Sequence, residues 1–336
     1  MRNSGRRKKK TIQGLAVIIV IIAAAAVAGG AFLWKQAEKN RSMDSGNAVG
    51  EGGAAVNETI EYNGQTYRYN DHLSNYLFMG IDTTAEISTY ESQQDAGQAD
   101  SIFVVSMDRV TEEMKVLLIP RDTITEIEVF NPSGQSLGTS ENHINIQYAY
   151  GDGKEKSCEL MESAVSGLLK DIPIHGYCAM NMDGIAAITD LVGGVEVTVP
   201  DASLEEVNPE FREGAVVTLT GENAEQFVRY RDINEKGSSL VRQERQKTYM
   251  RALLAKAREA AEKDAGFVVD MYDSIQPYTV TSLGTDVLAQ LLAAADANTT
   301  DAETVPGEMT HPGDFDEYHV NEEEFTKLLI EMFYKN

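Results

Sequence analysis

Twenty-three consecutive residues, Ile12 to Trp34, carry no charge and are dominated by Ile, Val, Ala and Leu. At about 1.5 Å per helical residue, such a run matches the roughly 30 Å of a hydrocarbon core. A helix buried in a soluble core rarely runs so long without a polar face. A cleaved secretory signal has an apolar core of only about 7–15 residues. This one is longer and ends in the bulky Phe32, Leu33 and Trp34. Six basic residues (Arg2, Arg6, Arg7, Lys8, Lys9 and Lys10) and no acidic one precede it. The expectation is an uncleaved signal anchor in the cell membrane. Residues 1–11 form a cytoplasmic basic tail, 12–34 a single transmembrane helix, and everything after it is extracellular.

That division makes the charge informative. The chain holds 29 Lys+Arg against 53 Asp+Glu. With six of the basic residues in the first 34, residues 35–336 keep 23 basic and 53 acidic side chains, a net of −30. A body so acidic is repelled by phosphate backbones, and no helix-turn-helix pattern is in view, so no nucleic acid is expected as a partner. Two cysteines, Cys158 and Cys178, are too few for a disulfide scaffold or a cysteine zinc site. Two buried thiols and one disulfide both remain open.

Residues 35–60 are rich in Gly, Ser, Asn, Ala and Glu without an apolar period, and read as a flexible stalk. The folded part is expected over 61–336. Apolar runs at Asn75–Asp82, Ser101–Asp108 and Lys115–Ile119 read as strands, as do Ile174–Met182 and Val195–Val199. Helical spacing covers Leu160–Leu169, Gly184–Leu191, Glu222–Val228, Leu240–Lys263 and Thr285–Ala294. Strands alternating with helices predict a mixed α/β fold, an α-β-α sandwich with a central mixed sheet flanked by helices.

Chemistry gathers at the ends of these elements. Asp82 closes one apolar strand and Asp100 opens the next. Together they make a hard oxygen pair suited to magnesium, or separately they cap two turns. Arg121 and Asp122 follow a strand directly, Arg229 and Arg231 alternate after a helix, and Arg242 and Gln246 share a helix face at i,i+4. Arginines suit a phosphate or pyrophosphate clamp because the planar fork binds two oxygens at once, though surface ion pairs with the abundant acids explain the same pattern. No G-x-S-x-G, G-x-G-x-x-G or G-x-x-x-x-G-K-[ST] run is present, and the five histidines show no metal spacing.

Taken in order, NYLFMGID, DSIFVVSMD, KVLLIPRDT, HINIQYAYG, LVGGVEVTV, LTGENAEQFVRYRD and RQERQ resemble the LytR-CpsA-Psr family over residues 75–254. The resemblance implies an extracytoplasmic phosphotransferase. Such an enzyme moves a glycopolymer (teichoic acid, capsule or another wall polysaccharide) from a polyprenyl-pyrophosphate carrier to peptidoglycan. It implies Mg2+ on Asp82 and Asp100, and a pyrophosphate held by Arg121, Arg229, Arg231 and Arg242 with Gln246 beside the head group. Asp122 would act near the acceptor or orient the arginines, and an apolar channel would take the polyprenyl chain. Two positions depart from the family pattern. Gln98-Ala99 stand where Arg-Ser/Thr is usual before Asp100, and Ser239 stands where an acid commonly precedes Arg242 by three. A non-catalytic polyprenyl-phosphate or wall-glycopolymer binding protein is the alternative.

Overall fold

The computed structural model describes residues 58–335, except 84–95, 132, 233–234, 236–237, 265, 285–286, 288–289, 292–301 and 314. The expected transmembrane helix and nearly all of the stalk lie outside the described residues. So does most of the helix expected over Thr285–Ala294. Among the described residues no helix is long and apolar enough to cross a membrane.

The chain opens with two hairpin strands, β1 (Thr59–Tyr62) and β2 (Gln65–Tyr69). A meander of β3 (Leu73–Ile81), β4 (Ala99–Asp108) and β5 (Met114–Ile119) follows, then a second hairpin, β6 (Ile124–Phe130) and β7 (Ser136–His143). A 3-10 helix over Ile144–Tyr150 leads into α1 (Glu155–Leu168), β8 (Tyr177–Asn181) and α2 (Met182–Leu191). Next come β9 (Val195–Thr198), β10 (Val216–Leu219), α3 (Gly221–Arg229), α4 (Ser238–Lys263) and α5 (Phe267–Ile275). The last elements are β11 (Thr279–Thr281), β12 (Glu303–Thr304), β13 (Gly307–Thr310), β14 (Glu317–Val320), α6 (Glu322–Phe333) and β15 (Tyr334–Lys335).

Six strands form the central sheet in the order β11-β8-β3-β4-β5-β12. It is mixed: β3–β4, β4–β5 and β8–β11 run antiparallel, while β3–β8 and β5–β12 run parallel. The period-two geometry of a strand sends alternate side chains to opposite faces, and both faces here are apolar. Tyr76, Phe78, Phe103, Val105 and Leu118 point to one core with Ile188 of α2, Phe227 of α3, Tyr249 of α4 and Met271 of α5. Leu77, Met79, Val104, Leu117 and Ile119 point to the other, with Met161 of α1 and Leu329 and Phe333 of α6. The expected α-β-α sandwich is therefore present.

The structure adds detail at four places. Among the described residues the first strand starts at Thr59, just inside the expected stalk, where Thr59–Tyr62 pairs with Gln65–Arg68. The strand expected from Ile174 starts at Tyr177. The strand expected at Val195–Val199 is present over Val195–Thr198, half-buried and paired with β10 outside the central sheet. Cys158 and Cys178 are both free, and they pack into the two different cores on opposite faces of the sheet.

Candidate functional site

The meander explains why distant motifs meet. Antiparallel pairing sets Ile81 opposite Ala99 and Ile102 opposite Ile119. The end of β3, the start of β4 and the end of β5 therefore share one edge of the sheet. Asp82, Asp100 and Arg121 all emerge there. The turn before β4 needs Gly97: its φ is +79°, and a Cβ would collide with the Thr83 side chain and crowd Asp82. This tight approach brings the Gln98 amide within 2.6 Å of Asp82 Oδ1, to which it donates.

Helices supply the other wall. A capping box between Thr220 and Asn223 starts α3, which ends at Arg229. Arg231 follows one residue beyond the cap, Tyr230, and Arg242 comes from the second turn of α4. Arg229 is thus helical rather than part of an extended run, and its Nη1 donates to Glu225 Oε1 one turn back at 2.9 Å. Together these residues line an open cleft of about 930 Å³. Six of the eight expected site residues form its wall: Asp82, Asp100, Arg121, Arg229, Arg231 and Arg242.

Asp100 is the hub of the charges. Its carboxylate is buried, with Oδ1 accepting from Arg121 Nη1 and Oδ2 from Arg242 Nη1 at 2.6 Å. Burial and the charge of neighbouring Arg242 push the Arg121 pKa down to about 10. Burial and Arg231 do the same for Arg242, also to about 10. Both guanidinium groups stay charged at neutral pH. An oxyanion in the cleft would relieve their mutual repulsion.

The remaining two expected residues stand behind the wall. Asp122 is only 6% exposed, accepts from Arg121 Nε at 3.2 Å and is held through its backbone carbonyl by Tyr318 N–H. It braces Arg121 and does not face the cleft. Gln246 accepts from Ser101 Oγ at 2.8 Å and donates to the Val228 carbonyl at 3.3 Å. It lines a separate apolar cavity with Met79, Met180, Met182, Ile185 and Tyr249. That cavity holds about 50 Å³, room for a water or two. At this size the cavity, lined in part by flexible methionines, does not take a prenyl chain as it stands.

Four further residues support the cleft, of which Arg245 belongs to the RQERQ motif and Gln98 to a noted departure from the family pattern, while Asn145 and Glu225 went unread. Gln98 donates to Asp82 and accepts from Arg121 Nη2 at 3.0 Å, a role that its departure from the family pattern does not reveal. Asn145 donates to Gln98 Oε1 at 2.9 Å from the 3-10 helix. Glu225 was visible as the i,i+4 partner of Arg229. Arg245 is 1% exposed and donates to the carbonyls of Tyr230 at 2.5 Å and Phe227 at 3.4 Å, with Asp201 Oδ2 at 3.3 Å. It closes the C-terminal end of α3, where free carbonyls favour a cation, and so holds the segment carrying Arg229 and Arg231.

Four guanidinium groups and four carboxylates share one cleft wall at a strand edge of an α-β-α sandwich, and guanidinium forks of this kind suit phosphate oxygens. Residues 35–333 match the LytR_cpsA_psr family, and the chain belongs to that family. It is 34% identical over 196 residues to the polyisoprenyl-teichoic acid–peptidoglycan teichoic acid transferase TagU of Bacillus mycoides (strain KBAB4), covering 58% of each chain. It is 30% identical over 190 residues to the transferase of the same description, TagV, of Bacillus subtilis (strain 168), covering 55% of this chain and 44% of that one. The chain thus spans about half the length of the curated relatives it matches. The crystal structure of B. subtilis TagV shares the fold with a TM-score of 0.56 at 24% identity, covering 78% of this chain and 98% of that one.

Proposed function

We propose that this chain is an extracytoplasmic, membrane-anchored transferase that moves a teichoic-acid-type glycopolymer from a polyprenyl-pyrophosphate carrier to peptidoglycan. The observation that carries this reading is the convergence of Arg121, Arg229, Arg231 and Arg242 on one cleft with Asp82 and Asp100. Family membership and the names of the two relatives support it.

In the reaction, a peptidoglycan hydroxyl attacks the phosphorus that bears the glycopolymer. The bond from that phosphorus to the bridging oxygen breaks, polyprenyl monophosphate leaves, and the hydroxyl proton passes to solvent or a cleft carboxylate. The arginines stabilise charge on the non-bridging and leaving oxygens, each through charge-assisted hydrogen bonds of roughly 1.5–3 kcal/mol. Asp100 fixes the forks of Arg121 and Arg242, Asp122 braces Arg121, and Gln246 with Arg245 anchors the end of α3. Prenyl carbons would lie toward the methionine-lined cavity beside Gln246.

Among the described residues no group of three or more His, Cys, Asp or Glu side chains could by itself hold a metal, and the charge of the cleft is what supports a divalent ion shared with the substrate. The cleft wall carries four arginines against four carboxylates (Asp82, Asp100, Glu222 and Glu225), so it offers a pyrophosphate no net positive charge. Asp82 and Asp100 would hold magnesium in the usual way, by one or two carboxylates completed by substrate oxygens. When bound it would neutralise phosphate charge that the arginines leave unbalanced.

The test incubates the full chain in detergent with a synthetic polyprenyl-pyrophosphoryl glycan, peptidoglycan fragments and magnesium. Expected are polyprenyl monophosphate and a phosphodiester-linked glycan in equal amounts. Asp82→Asn should raise the magnesium concentration that half-saturates the rate. Substrate retained without release of lipid phosphate would make the protein a carrier-binding protein instead. Proteolysis of intact cells that leaves residues 35–336 untouched would refute the extracellular placement.

A further inference from the structure

The charges of the cleft are tied together by a side chain that has none. Gln98 sits immediately before β4 and makes three bonds to three different parts of the chain. Its backbone N–H donates to Asp82 Oδ1 at 2.6 Å. Its Oε1 accepts from Arg121 Nη2 at 3.0 Å and from Asn145 Nδ2 at 2.9 Å. We propose that Gln98 is a positioning residue that sets the Arg121 fork in register with Asp82 for binding pyrophosphate, an inference that rests on the reading of the cleft as a pyrophosphate seat.

Three nitrogens of Arg121 are engaged: Nε by Asp122, Nη1 by Asp100 and Nη2 by Gln98. The two carboxylates alone would hold the fork by one edge and leave it to pivot. Gln98 supplies the third point, which fixes the plane of the fork and keeps its remaining N–H groups directed at one place. The amide itself is held by Asn145, which is 1% exposed and whose backbone N–H also donates to the Arg121 carbonyl at 3.3 Å. The turn at Gly97, which admits no side chain, fixes the backbone that reaches Asp82.

Charge explains why an amide serves here. The cleft wall is balanced at four arginines and four carboxylates. A carboxylate at position 98 would make it repel a pyrophosphate, and the arginine usual there in the family would offer Arg121 Nη2 no acceptor. A neutral acceptor orients the guanidinium and changes neither balance.

The test is a double-mutant cycle on the full chain in detergent, with inorganic pyrophosphate titrated calorimetrically at fixed magnesium. Gln98→Met keeps the length of the side chain and removes the acceptor. It should weaken pyrophosphate about tenfold, the loss expected for one hydrogen bond to a charged group. In an Arg121→Ala background the same change should alter affinity by less than about twofold, because Gln98 acts through Arg121. A purely structural role would weaken binding equally in both backgrounds. That outcome, or wild-type affinity in Gln98→Met, overturns the proposal. Gln98→Ala provides the same comparison should Gln98→Met not fold. If Arg121→Ala weakens binding and the Gln98 variants do not, only this proposal falls. If the wild type binds no pyrophosphate, the reading of the cleft falls with it.

Discussion

Asp100→Asn is the perturbation that tests the charge hub most directly. The side chain of Asp100 is 5% exposed, that of Arg242 7% and that of Arg121 19%, so solvent screens these ion pairs little. An asparagine keeps one oxygen for one guanidinium, but its NH2 then faces the other, donor against donor. Breaking a buried pair by neutralising one partner costs about 3–5 kcal/mol, and the lower figure fits because Arg121 is partly wet. For a domain of this size that is a fall in Tm of about 6–9 °C. A bound anion should replace the lost carboxylate. Inorganic pyrophosphate at a hundred times its Kd adds about 2.7 kcal/mol to any protein that binds it only when folded. The variant should gain more than the wild type at equal pyrophosphate concentration, because the anion no longer competes with Asp100 for Arg121 and Arg242. The assay is thermal unfolding of both proteins, with and without pyrophosphate and without magnesium, which separates the hub from any metal role of Asp100. A variant that melts within about 2 °C of the wild type would refute the reasoning. So would one that gains no more from pyrophosphate than the wild type does.

Arg245→Met should lower stability by about 3 kcal/mol, since it strands the buried carbonyls of Tyr230 and Phe227, and should weaken pyrophosphate by freeing Arg229 and Arg231; unfolding and titration calorimetry check the two effects. Glu225→Gln releases Arg229 from an exposed pair, so stability should change by less than about 0.5 kcal/mol. The cleft then carries net positive charge, and pyrophosphate should bind about fivefold tighter in dilute buffer, a gain erased in high salt. Burial pushes the Cys158 and Cys178 thiols up, Cys178 to about 12, so neither should react with a disulfide reagent in the native protein at pH 8, and both should react in urea.

The parts of this fold readable in the sequence are those that bury two faces or end abruptly. NYLFMGI, SIFVVSM and VLLI are apolar at nearly every position because the sheet is covered on both sides. The hairpin β6–β7 is not legible as strands, since β7 is largely exposed, β6 is largely half-buried and no alternation marks either. Helix α6 opens with three glutamates after an Asn cap, and that acidic turn hides the Phe325, Leu329 and Phe333 stripe behind it.

At the cleft the same division follows the physics of charge. An Asp or Arg beside an apolar run stands out one residue at a time, which is why Asp82, Asp100, Arg121 and Arg242 are readable from their positions at element ends. What the letters do not carry is which of them face the ligand. Asp122 adjoins Arg121 in the chain, yet the turn after β5 sends it inward and leaves it 6% exposed. Gln246 lies one turn from Arg242 but bonds to Ser101 and Val228 beside the apolar cavity. A neutral residue such as Asn145 announces nothing, because an amide in a polar loop and an amide in a charge network are the same letter, and Gln98 stands out only against the family pattern. Their roles depend on an antiparallel meander that lays the start of one strand against the ends of two others. That is a long-range pairing, and the local pattern of apolar and polar residues cannot express it.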